Sequence, residues 1–220
     1  MKCILYLWMY GLLIGCHNNP NNLELRELEH NRKEVLKYHE NGSVLLKGYL
    51  KDGVAVGKWE EWYSTGEKKA EYSFLDGLEQ GQRTVWYPSG QLAEQGEMLF
   101  GKQEGTWKMW YESGLPMAET SYQKGVEAGE RIHWYEAGNK KSQATVLGGL
   151  QNGLRTFWYE SGQMSAKGYF KMDMKQGPEE FYSEDGNWTK TVCFEADQEQ
   201  KTWTEIQPTF TKELCSAEKE

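Results

Sequence analysis

Four cysteines, four histidines and two pairs of adjacent glutamates are the residues of this 220-residue chain whose types invite chemistry. Glu60-Glu61 and Glu179-Glu180 are sequence neighbours. On a strand, neighbours point to opposite faces, so neither pair makes an acid–base couple. His17, His30, His39 and His133 are scattered, and there is no H-E-x-x-H, Cys-x-x-Cys or calcium-loop pattern, so no metal is expected. Gly77-x-x-x-Gly81-Gln82 lacks the lysine of a phosphate-binding loop. No catalytic residue and no cofactor are assigned. Cys193 and Cys215 form either a disulfide or two buried thiols. Arginines suited to carboxylates or an anionic polymer remain, as do aromatics suited to stacking on a glycan or a protein.

A period of 24 residues sets where these groups stand. Gly66, Gly90, Gly114, Gly138 and Gly162, with Gly42 and Gly186 beyond them, form one column. Gly57, Gly81, Gly105, Gly129, Gly153 and Gly177 form a second. Trp62, Trp86, Trp110, Trp134 and Trp158 keep the same interval, each followed by Tyr63, Tyr87, Tyr111, Tyr135 or Tyr159. Such self-similarity signals a stacked-repeat architecture, in which each unit packs only on its neighbours. Aromatics at 14% exclude ordinary disorder, and the net charge of -8 disfavours nucleic acid as a partner.

Each unit reads as a β-hairpin, because two strand-length arms are bounded by turn residues. The fold class expected is all-β, an elongated antiparallel meander of about seven hairpins over residues 35–195. Ser64-Thr65-Gly66 suits a three-residue loop with glycine in the left-handed region, and Pro88 presets the same turn one unit on. The first and last units read as carrying one extra turn residue. A three-residue loop pairs Trp62 with Lys68, and strict alternation then puts Trp62 on one face with Ala70, Tyr72 and Phe74. That face is expected to be core-like, with the Trp62 column structural. A two-residue loop swaps the two ladders. Tyr63, Tyr87, Tyr111, Tyr135 and Tyr159, with Arg83, Arg131 and Arg155, fall on the other face and form the candidate binding surface. The left-handed turn should demand glycine at Gly114, whereas Gly96, inside a strand, should tolerate alanine better. Helical spacing of Leu25, Leu28, Arg32 and Val35 predicts a short helix over residues 23–36. Residues 196–220 read as an acidic cap or tail.

The pattern G-x-W-x-x-W-Y-x-x-G, seen in Gly57 to Gly66 and Gly105 to Gly114, resembles the bacterial variant of the MORN repeat, often labelled a YwqK-type antitoxin family. The resemblance implies an elongated twisted sheet of successive hairpins. Arg83, Arg131 and Arg155 stand where the pattern has its first tryptophan, and Glu179 ends that series. At the other end, Met1-Lys2-Cys3 precedes an apolar run closing in Leu13-Ile14-Gly15-Cys16, which resembles a lipobox. That resemblance implies a signal peptide over residues 1–15 and diacylation of Cys16, and residues 16–34 read as a polar tether with the short helix at its end. No apolar stretch is long enough for a membrane span. The expectation is a non-enzymatic scaffold, lipid-anchored in the cell envelope at an outer membrane or cell surface, binding a protein or envelope glycan. The alternative is an immunity or antitoxin-like protein that neutralises a toxin.

Overall fold

A computed structural model describes residues 23–27, 31–205 and Cys215. The signal segment, Cys16 and residues 206–214 and 216–220 lie outside the described residues. All regular structure among the described residues is strand. β1 (Leu23–Glu27) and β2 (Arg32–Tyr38) lead into β3 (Val44–Lys51), β4 (Val54–Trp62) and β5 (Lys68–Leu75). Then come β6 (Leu78–Glu79), β7 (Gly81–Trp86), β8 (Leu92–Leu99), β9 (Lys102–Trp110), β10 (Pro116–Gln123), β11 (Val126–Trp134) and β12 (Lys140–Leu147). β13 (Leu150–Trp158), β14 (Met164–Lys171), β15 (Met174–Tyr182), β16 (Trp188–Glu195) and β17 (Gln198–Trp203) complete the order.

Each strand pairs antiparallel with the next, as β2–β3, β3–β4 and β4–β5 do at one end and β15–β16 and β16–β17 at the other. β6 and β7 share one position beside β5. The result is one open meander, in which seven hairpins are closed by three-residue turns and linked by two-residue turns. In the former, Tyr63 N–H donates to Glu67 O at 2.9 Å and Gly66 N–H to Tyr63 O at 3.0 Å. Gly66 has φ 103° there, a region glycine enters without a Cβ clash. In the latter, both central residues are left-handed, as at Asp52 (φ 51°) and Gly53 (φ 83°), the twist that suits a tight hairpin.

Three expectations change. The segment expected as a helix is strand: β1 and β2 pair with each other from Leu23↔Lys37 to Glu27↔Lys33, and β2 pairs on along β3. Val35 stands 24 residues before Trp59 and is buried like it. The next hairpin offers β2 a full set of backbone partners, and that pairing overrides a weak helical spacing. The end units carry no insertion. His39 N–H donates to Ser43 O and Ser183 N–H to Asn187 O, both at 2.8 Å, so His39 and Ser183 occupy the tyrosine position.

The faces also differ from strict alternation. Trp62 does pair with Lys68, but Glu61 pairs with Ala70, so Lys69 is a bulge. Past it, Ala70, Tyr72 and Phe74 align with Glu61, Trp59 and Gly57. The core-like face is therefore that of Trp59, Ala70, Trp107 and Ala118, all buried, while the Trp62 column is only half-buried on the opposite side. One extra residue reverses the parity of everything beyond it.

Candidate functional site

A single-layer sheet has no second layer to hold it, and both of its edges carry bonds between successive units. Along the three-residue turns, the Tyr63 hydroxyl donates to Trp86 O at 2.8 Å, Tyr87 to Trp110 O at 2.7 Å and Tyr111 to Trp134 O at 2.7 Å. Tyr135 does the same to Trp158 O at 2.8 Å, and Tyr159 to Tyr182 O at 2.7 Å. At the start of the series, His39 Nε2 lies 2.9 Å from Trp62 O. Along the two-residue turns, Gly77 N–H donates to Ala55 O and Gly149 N–H to Glu127 O, each at 2.9 Å. Asp173 replaces glycine in this series. Its N–H still reaches Gln151 O at 3.0 Å, and its carboxylate accepts from Gln151 N–H at 2.7 Å. The tyrosine hydroxyls are thus committed inside the array, and what these residues present outward is ring surface.

The core-like face carries the first-tryptophan column. Trp59 packs edge-on against Phe74 at 5.7 Å, and Trp107 against Tyr122 at 6.4 Å. Arg83 replaces the tryptophan by stacking over Tyr72 at 5.3 Å, and its Nη1 reaches both Glu79 oxygens at 3.2 Å. Arg131 is neutralised by Glu127 at 2.8 Å. Glu179 reverses the signs and pairs with Lys175 at 2.7 Å. Arg155 stacks over Phe157 at 4.2 Å, but the residue at its partner position is Gln151, which accepts from Nη1 at 3.0 Å. Burial holds the pKa of Arg155 below its usual value, and Arg131 adds to this. His133 is pushed down by burial, then by the charges of Arg131, Arg155 and Lys141.

The opposite face is polar where the Trp62 column ends. Glu60 and Glu71 stand directly across from each other and are bridged twice. Lys68 lies 2.7 Å from both carboxylates, and Lys58 lies 3.1 Å from Glu60 and 3.0 Å from Glu71. Lys68 also sits over the Trp86 ring at 5.9 Å, as Lys140 sits over Trp158 at 5.8 Å. The adjacent acids do part: Glu61 accepts from the Tyr72 hydroxyl at 2.7 Å on the other side of the sheet. Cys193, buried on β16, is joined to Cys215 by a disulfide with Cα atoms 5.6 Å apart.

Residue-by-residue reading of the sequence missed two features. Leu75, Phe100, Leu147 and Met172 leave more than half of their surface exposed, all along the edge of two-residue turns. Phe100 (φ 49°) and Met172 (φ 52°) even occupy left-handed turn positions where Asp52 and Asp76 stand in earlier units. The 24-residue alignment of these positions was the available signal. The other feature is an open cleft of about 770 Å³ lined by Leu154 of β13, Tyr169 of β14 and Pro178 of β15.

Residues 79–99, 103–124 and 151–172 each match the family described as MORN repeat variant. These three segments carry the MORN-variant repeat. Each matched segment is one hairpin, running from the outgoing strand through the three-residue turn and back: β6 and β7 with β8, β9 with β10, and β13 with β14. The MORN hairpins so matched include both kinds of residue in the first-tryptophan column, Trp107 as well as Arg83 and Arg155. No curated protein matches the chain.

Proposed function

We propose that this MORN-repeat chain is an exported, lipid-anchored, non-enzymatic scaffold that binds a protein or cell-envelope glycan along its sheet. The open single layer of hairpins carries this reading: it repeats the same side-chain positions at regular steps and so offers a long face to an extended partner. The Cys193–Cys215 disulfide supports passage through an oxidising compartment. Anchoring rests on the lipobox-like Leu13 to Cys16. Labelled palmitate should enter the wild-type protein and not Cys16→Ser, which should stay uncleaved and leave the membrane; an unlabelled wild type would refute the anchor. Crosslinking of the anchored protein in its native cells should capture one protein or glycan reproducibly. Retention on purified peptidoglycan would single out the glycan.

A further inference from the structure

We propose that Arg155 is an oxyanion-binding residue that takes a carboxylate or phosphate group carried by the partner. Its column sets the rule it breaks. Arg83 has Glu79, Arg131 has Glu127 and Glu179 has Lys175, each four residues away on the same face. Arg155 alone of these has a neutral residue, Gln151, at that place, and among the described residues no carboxylate lies within ion-pair distance of it. Its Nε–H is buried with no acceptor. The nearest acids are engaged elsewhere: Glu179 with Lys175, and Asp173 with the Gln151 backbone.

A partly desolvated cation with no carboxylate in direct contact is costly to keep, and truncating or pairing it changes the balance by more than a surface charge would. Shape alone does not call for the charge, since Trp59 and Trp107 fill the same column as neutral rings. Stacking on Phe157 holds the guanidinium plane in place, and a planar fork held in place suits the two oxygens of a carboxylate or phosphate. The assignment rests on partner binding along this face, but its test needs no partner.

The arginine Nε–Hε resonances of the full-length protein are followed by NMR during titration with sodium acetate and with sodium phosphate, sodium chloride holding ionic strength constant. Arg155 should shift along a saturating curve with at least one of the two anions while Arg83 and Arg131 stay put. Saturation by acetate assigns the group as a carboxylate, and by phosphate as a phosphate. Gln151→Glu installs the missing acid and should weaken the anion at least tenfold while leaving the melting temperature equal or higher. Arg155→Lys keeps the charge without the fork and should weaken the anion, read from protection of the fold against heat, at least fivefold. Linear shifts shared by all three arginines, or an unchanged curve in Gln151→Glu, would overturn the proposal. Failure of the crosslinking experiment alone would leave this result standing.

Discussion

The indole of Trp59 lies directly on the backbone of Gly48: a β-carbon added to Gly48 would stand 2.1 Å from the ring's Cδ2. Trp107 covers Gly96 in the same way, with a closest approach of 2.2 Å. On the preceding strand, where Gly48 and Gly96 face the tryptophans, Arg83, Arg131 and Arg155 meet Tyr72, Thr120 and Ala144 instead of glycine. The bulky ring and the missing side chain belong together, one strand apart.

The expected tolerance of Gly96→Ala therefore reverses. Overpacking against an aromatic wall costs roughly 1–3 kcal/mol, and Gly96→Ala should lower stability on that scale in urea melts. Replacing Trp107 with arginine as well should recover part of the loss, because arginine already faces Ala144 at Arg155. Additive losses in the double variant would show that the two positions do not share one packing site.

Removing a tyrosine hydroxyl should loosen one joint between units. Tyr111→Phe leaves Trp134 O without its side-chain donor, at about 1 kcal/mol. Amide exchange should quicken around residues 134–139 more than around residues 62–67. Uniform quickening along the chain would argue against a local joint.

Acid should weaken the array through Glu60 and Glu71. Hydrogen bonds from Lys68, then from Lys58, hold both carboxylates below their usual pKa. Groups with depressed folded pKa values contribute stability above the unfolded carboxylate value near 4.3 and lose it as pH falls through the folded values. Both residues are partly exposed, so the effect should stay within about 1 kcal/mol. Glu60→Gln should flatten the slope of stability between pH 5 and pH 3, roughly the range this pair controls.

His133 should act at milder acidity. Burial, then Arg131, depresses its pKa, so the unfolded chain takes up a proton first as pH drops below about 6.5. Stability should be full above that value and decline as pH falls toward the folded pKa. His133→Gln should remove this step and leave the one below pH 5; an unchanged profile would place the step elsewhere.

Shape separates the open meander from a compact fold. Sixteen ladder positions, with β6 and β7 sharing one, extend roughly 70 Å at about 4.8 Å per strand. A globule of this length has a radius of gyration near 16–17 Å by the usual scaling. Small-angle scattering of a fragment spanning Leu23 to Glu220 should give a value above ~20 Å, and one on the globular scaling would defeat the open sheet.

The 24-residue period, the hairpin arms and the three-residue turn follow from sequence alone, because glycine at a left-handed position such as Gly66 or Gly114 is a local requirement that no distant contact alters. The face that packs was decided only in three dimensions. Side chains alternate with period two, so the single bulge at Lys69 moves Ala70 and Tyr72 from the side of Trp62 to the side of Trp59. Residues 23–27 and 32–38 become strand for the same kind of reason, since the partners that make them so lie in the neighbouring hairpin. The sequence presents Arg83, Arg131 and Arg155 as equals. Only the folded pairing with Glu79, Glu127 and Gln151 separates them, because a charge is neutralised by what stands beside it in space.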